Sequence, residues 1–145
     1  NNYKAIFQLG NITLMEKNYK EAIKLFDQSV KIKPDFWQGI NNQALAYFEK
    51  NNIDLSKTHF EKAISIKENA EPLLGLASCL RIKDIKLALI LAKKALAKDP
   101  NYVSYEHRKE QLWGEKLQAS TEKLLKNAEL QKDVMLAKSK VEITY

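Results

Sequence analysis

The stretch Tyr19-Lys-Glu-Ala22-Ile-Lys-Leu-Phe26-Asp-Gln-Ser29-Val-Lys-Ile-Lys-Pro34 decides how this chain folds. Ala22, Ile23, Phe26, Ser29 and Val30 recur at helical spacing, which makes one apolar face of an amphipathic helix that Pro34 closes. A weaker copy of it follows downstream, with Ser56 for Ala22, Phe60 for Phe26, Ala63 for Ser29 and Glu68 for Pro34. A third, compressed copy reads Ala88, Ala92, Ala95 and Pro100. Self-similarity at a period of about 34 residues means paired helices stacked into a solenoid, each unit burying its apolar face only against its neighbours.

Working outward, Ile6, Leu9, Ile12 and Thr13 predict a helix over residues 3–17, paired with a second over 19–32. The next pair falls at 35–50 and 53–67, with Asn51-Asn52 as the turn and Asp54 as N-cap. A third pair covers 70–82 and, after an Asp84 cap, the stripe Leu87, Ala88, Leu91, Ala92, Ala95 and Leu96. From Glu68 to Pro100 this unit is two residues short, a loss assigned to the turn Arg81–Ile85. Residues 102–126 then read as one long helix through Trp113-Gly114 that caps the last pair. Trp113 is expected to pack under the third pair with another backbone passing Gly114; the alternative is that the pair marks a partner-docking or kink site. Asn127 caps a final helix over 128–138, and Val141–Tyr145 is expected to fray. The fold class is therefore all-α, a right-handed α-solenoid. Three helix pairs occupy residues 1–101 (about 3–36, 37–69 and 70–101), and a capping helix with a terminal helix occupies 102–145.

Composition narrows the function. The net charge of +6 comes from 22 Lys and only 2 Arg among 18 acidic residues, with Lys on nearly every helix. Nucleic-acid binders cluster cations on one face and favour Arg for bidentate contacts, so no nucleic-acid partner is expected. The surface reads as solvated, or as suited to an acidic partner. No apolar stretch reaches the roughly 18 residues that span a bilayer, and no secretory signal opens the chain, which begins with Asn. A membrane association is expected only through a removed N-terminal anchor. Cys79 is single, flanked by Leu76, Ala77 and Leu80; it reads as a small buried residue and suits the cytoplasm or another reducing compartment.

The pattern of large residue, Leu-Gly, aromatic, Ala, Phe, small residue and Pro resembles the tetratricopeptide repeat family. Ile6, Leu9, Gly10, Thr13, Ala22, Phe26, Ser29 and Pro34 carry it in the first pair. Ile40, Gln43, Ala44, Tyr47, Ser56, Phe60 and Ala63 carry it in the second, and Leu76, Ala77, Leu80, Ala88, Ala95 and Pro100 in the third. The resemblance implies a concave groove, lined by the first helix of each pair, that holds an extended peptide or a helix of another protein. Its lining would be Lys4, Phe7, Gln8, Asn11, Leu14 and Met15, then Gln38, Asn41, Asn42, Leu45 and Phe48, then Glu71, Leu74, Ser78 and Arg81. Asn and Gln offer both donor and acceptor to a peptide backbone. One subclass clamps the carboxylate of chaperone tails with two Asn and three cations. Asn11 and Asn42 match the Asn places, but Phe7, Glu71 and Gly75 hold the basic ones, and Glu71 would repel a carboxylate.

A narrower resemblance rests on the three repeats, the Lys/Asn/Ile-rich composition and Gln111-Leu-Trp-Gly-Glu-Lys-Leu117. It is to cyanobacterial and plastid repeat proteins, one group of which assists photosystem I assembly. No metal-binding, phosphate-loop or nucleophile motif occurs, and His59 and His107 read as surface imidazoles. The expectation is a non-enzymatic adaptor or assembly factor with neither cofactor nor small-molecule substrate. Rival readings are a regulatory module of a larger enzyme, or a homodimer joined through Leu130, Val134 and Met135.

Overall fold

The computed structural model describes residues 2–143, and every regular element among them is helical. They form two compact units, one up to Glu68 and one from Asn69 onward. The first unit holds α1 (Tyr3–Met15), α2 (Tyr19–Ile32), α3 (Trp37–Glu49) and α4 (Ile53–Ile66). The second holds α5 (Ala70–Leu80), α6 (Ile85–Lys98), a 3-10 turn (Pro100–Val103), α7 (Tyr105–Glu110) and α8 (Glu115–Leu125). It ends with a 3-10 turn (Ala128–Leu130) and α9 (Gln131–Ile143).

Helix ends show the repeat in backbone geometry. Lys17 and Asn51 both take positive φ, 63° and 65°, and close α1 and α3 through Asn18 N–H to Thr13 O and Asn52 N–H to Tyr47 O. These are Schellman closures, which satisfy carbonyls that a helix end leaves bare. At the far end of each pair Lys33, Lys67 and Asp99 are extended and donate back to Ser29, Ala63 and Ala95. Asn52 rather than Asp54 caps α4, accepting from Leu55 N–H, while Asp84 caps α6 as expected.

The shortening of the third pair is split between two places. Its helices open at Ala70 and Ile85, one position closer together than Tyr3 and Tyr19 or Trp37 and Ile53 in the earlier pairs. The other position is lost before α5, where Ala70 follows Lys67 more closely than Trp37 follows Lys33.

Within pairs, one aromatic ring sets the helix separation. Phe26 and Phe60 have no exposure, and the small residues Ala22, Ser29, Ser56 and Ala63 around them are equally buried. Ser29 and Ser56 put a hydroxyl where apolar methyls are expected, and each donates to a carbonyl of the facing helix, Tyr3 O and Ala44 O, at 2.8 Å. A Cβ on Gly10 would lie 2.6 Å from the Phe26 ring.

The long capping helix is not formed. Asp99 and the 3-10 turn begin a break, Ser104 caps the short α7, and Leu112 at φ 72° ends it with Trp113 N–H on Arg108 O. Gly114 is extended and is the N-cap residue of α8, so it is not a mid-helix glycine. Asn127 accepts from Glu129 N–H as expected, but the terminal helix runs on through residues 141–143 where fraying was expected. Thr144 and Tyr145 lie outside the described residues. Leu130 and Val134 are buried, which removes two of the three residues of the expected dimer patch and leaves Met135 exposed. Cys79 is half-buried, less covered than its apolar neighbours imply.

Gly10→Ala should lower stability by about 1–2 kcal/mol, because overpacking against a ring with no room outweighs the roughly 1 kcal/mol that Ala gains over Gly in a helix. Gly39→Ala, where the Cβ would meet Val30 at 3.0 Å and Phe36 at 3.1 Å, should be nearly neutral. Urea denaturation of both variants checks the contrast.

Candidate functional site

The residues assigned to a groove divide by unit. In the first, Asn41 is fully buried and donates from Nδ2 to Asn42 Oδ1 at 3.1 Å. Asn42 in turn donates from Nδ2 to Asn11 Oδ1 at 2.8 Å. Three amides therefore run head to tail from α3 to α1, a chain in which each bond polarises the next. Asn41 Oδ1, at the acceptor end, is buried with no partner among the described residues. Asn11, at the donor end, is half-buried, and its Nδ2 group is not used within the chain of amides.

Around this chain the aromatics are structural. Phe7 meets Phe36 edge-on at 4.9 Å and Phe26 at 5.7 Å, and Tyr3 meets Phe36 at 5.0 Å. Leu14, Leu45 and Phe48 are buried, Gln38 is half-buried, and Lys4, Gln8 and Met15 are exposed. Phe48 and Met15, both assigned to the groove lining, thus differ: one is core and the other is surface.

In the second unit the expected groove residues of α5 are already engaged. Ser78 Oγ lies 2.7 Å from Thr121 Oγ1 of α8, Arg81 Nε donates to Ser120 Oγ at 3.2 Å, and Ser120 Oγ donates to Ser78 O. Leu74 has no exposure. Glu71 is buried and accepts from Trp113 Nε1 at 3.0 Å and from Tyr102 OH at 3.3 Å. The expectation that Leu74, Ser78 and Arg81 offer an open surface is corrected, because Leu74 is fully buried and the chain's own α8 engages Ser78 and Arg81. Trp113 does pack on the third pair, and the block Gln111–Leu117 that carried the narrower resemblance supplies this internal contact.

Arg108 is the residue that sequence reasoning missed. It stands in the charged run Tyr105-Glu-His-Arg-Lys-Glu110, yet it has no exposure. Its Nε donates to Gln118 Oε1 at 2.7 Å, Nη1 to Tyr102 O at 2.7 Å and Nη2 to Glu122 Oε2 at 2.8 Å. Burial pulls its guanidinium below the usual arginine range, and Glu122 beside it opposes that. Burial also raises the Tyr102 hydroxyl well above the usual tyrosine range, reinforced by the charge of Glu71. Both imidazoles are half-buried, His59 against Tyr47 and His107 against Tyr102.

A tetratricopeptide repeat model matches residues 3–36 and 38–69. These two helix pairs belong to the tetratricopeptide repeat family. Among solved structures, the chain is similar to the type III secretion translocator chaperone SycD of Yersinia enterocolitica, whose structure is described as an alternative dimer. The TM-score is 0.64 at 17% identity, over 83% of this chain and 92% of that one. At that identity the likeness bears on the fold, which is the all-α tetratricopeptide solenoid class. Repeats of this family make the chain a protein-interaction scaffold. No helix among the described residues is long and apolar enough to cross a membrane.

Trp113→Phe should destabilise the protein by about 1–3 kcal/mol in denaturant titration, since the ring stays while Glu71 loses a buried donor. Tyr102 adds a pH dependence. Below pH 10 folded and unfolded chains both hold its proton; above it the unfolded chain, with a tyrosine pKa of about 10, releases its proton first. Stability should therefore fall as pH rises beyond about 10, and less steeply in Tyr102→Phe, when the denaturation midpoint is followed to about pH 12.

Proposed function

We propose that this chain is a non-enzymatic scaffold that holds an extended peptide segment of another protein on the α1/α3 face of its first unit. The carrying observation is the amide chain Asn41–Asn42–Asn11, whose donor end is half-open on α1. A polarised amide donor presented beside Lys4 and Gln38 matches a row of backbone carbonyls, and it reads main chain without demanding a particular side chain. Leu74, Ser78 and Arg81 play no part in it, because Leu74 is fully buried and α8 already engages the other two.

The test is a library of unstructured peptides about 12 residues long, screened against the whole protein and followed by titration of the hits. Asn11→Ala should weaken the hits at least tenfold, about 1.4 kcal/mol, with unchanged circular dichroism. Hits that ignore Asn11, or a library that yields no saturable binder, would remove this reading.

A further inference from the structure

Gln131, Val134, Lys138 and Val141 recur along α9 at spacings of three and four residues, and all four line one cleft. Glu122, Leu125 and Lys126 at the end of α8 border it, with Val103, Ser104 and Tyr105 at the start of α7. The cleft holds about 450 Å³, the small end of the roughly 300–1,000 Å³ of small-molecule sites. No residue of the peptide-binding first unit lines it.

Its walls are aliphatic, with Val103, Leu125 and Val134 buried and Val141 half-buried. The polar groups between them are largely engaged with the chain itself. Ser104 Oγ accepts from His107 N–H at 3.2 Å, and Gln131 Nε2 donates to Leu125 O and Asn127 O, both at 2.9 Å. Glu122 Oε2 accepts from Arg108 Nη2 at 2.8 Å, an ion pair that balances its charge. Lys126 and Lys138 differ. Both are exposed, and neither ammonium has a hydrogen bond or ion pair among the described residues.

We propose that this cleft binds a medium-chain fatty acid, its alkyl chain along the aliphatic walls and its carboxylate on Lys126 and Lys138. Two features choose that occupant. An extended peptide would bring amides that need donors and acceptors, and most polar side chains of the lining already serve the chain itself. An alkyl chain needs no such partners and gains by leaving water. The second feature is charge, because two unpaired ammonium groups favour an anionic end over a neutral or cationic one. Binding to the folded form alone also stabilises it, which gives a second readout.

Octanoate is the probe, titrated into the whole protein below its micelle concentration and followed by amide nuclear magnetic resonance shifts. Saturable shifts confined to residues around the cleft are expected, with a Kd between about 10 µM and 1 mM and a raised melting temperature. Octanol and octylamine share the chain without the carboxylate and should bind at least about fivefold more weakly. Lys126→Glu combined with Lys138→Glu should abolish binding with unchanged circular dichroism, since both side chains are exposed. Val141→Phe, which fills the cleft from its half-buried edge, should abolish binding with both lysines intact. The proposal is overturned by no saturation up to about 5 mM, by equal binding of octylamine, by binding that survives in either variant, or by shifts spread through α1–α4. A peptide ending in leucine with a free carboxylate that occupies the cleft more tightly than octanoate overturns it too. Peptide capture through Asn11 uses the other unit, so either idea can fail alone.

Discussion

How near two helices can come is the constraint on which the other features rest. In the first two pairs Phe26 and Phe60 fill the gap and are fully buried, and Gly10 leaves no room for a Cβ beside the Phe26 ring. Ala92 stands at the third such position, one shortened repeat beyond Phe60, and is also fully buried. No ring separates that pair. The same residues that permit close packing are removed from solvent by it, so whatever the helices recognise must lie elsewhere on their surface.

The second unit shows what becomes of a repeat face that is covered from within. Glu71 brings a carboxylate into the interior and is met there by the indole of Trp113 and the hydroxyl of Tyr102. Arg108 ties together the carbonyl of Tyr102, Gln118 and Glu122, and so holds the 3-10 turn and α8 in place. A buried guanidinium with three satisfied contacts is tolerable, but losing one partner leaves a desolvated charge. The segment on α5 is therefore fixed by polar geometry as much as by apolar area.

Much of this was legible in the sequence. The periodicity of Ala22, Phe26 and Ser29, the Asp84 cap and the recurring turn positions place α1 to α6 within a residue or two. The C-terminal third was harder to read, for identifiable reasons. Leu112 takes a left-handed conformation that leucine rarely adopts, so nothing in Gln111-Leu-Trp-Gly114 announces a helix end other than a glycine that reads equally as mid-helix. Arg108 is one charge in a charged run, and its burial is decided by Gln118 and Glu122, which arrive only later in the chain. Of the candidate site, the Asn residues were found by residue type, but their order of donation needed coordinates. That α8 covers Ser78 and Arg81 could not be read from local pattern at all.

The separations along the chain also set an order of assembly. Ser29 reaches back 26 residues to Tyr3, and Asn42 reaches 31 to Asn11. Glu71 must wait 42 residues for Trp113, and Ser78 must wait 43 for Thr121. A chain leaving the ribosome can close its first unit while the partners of Glu71 are still being synthesised. During that interval a half-made second unit holds Glu71 without its bond to Trp113 and presents the uncovered side of α5, which makes it the part of the nascent protein most dependent on protection.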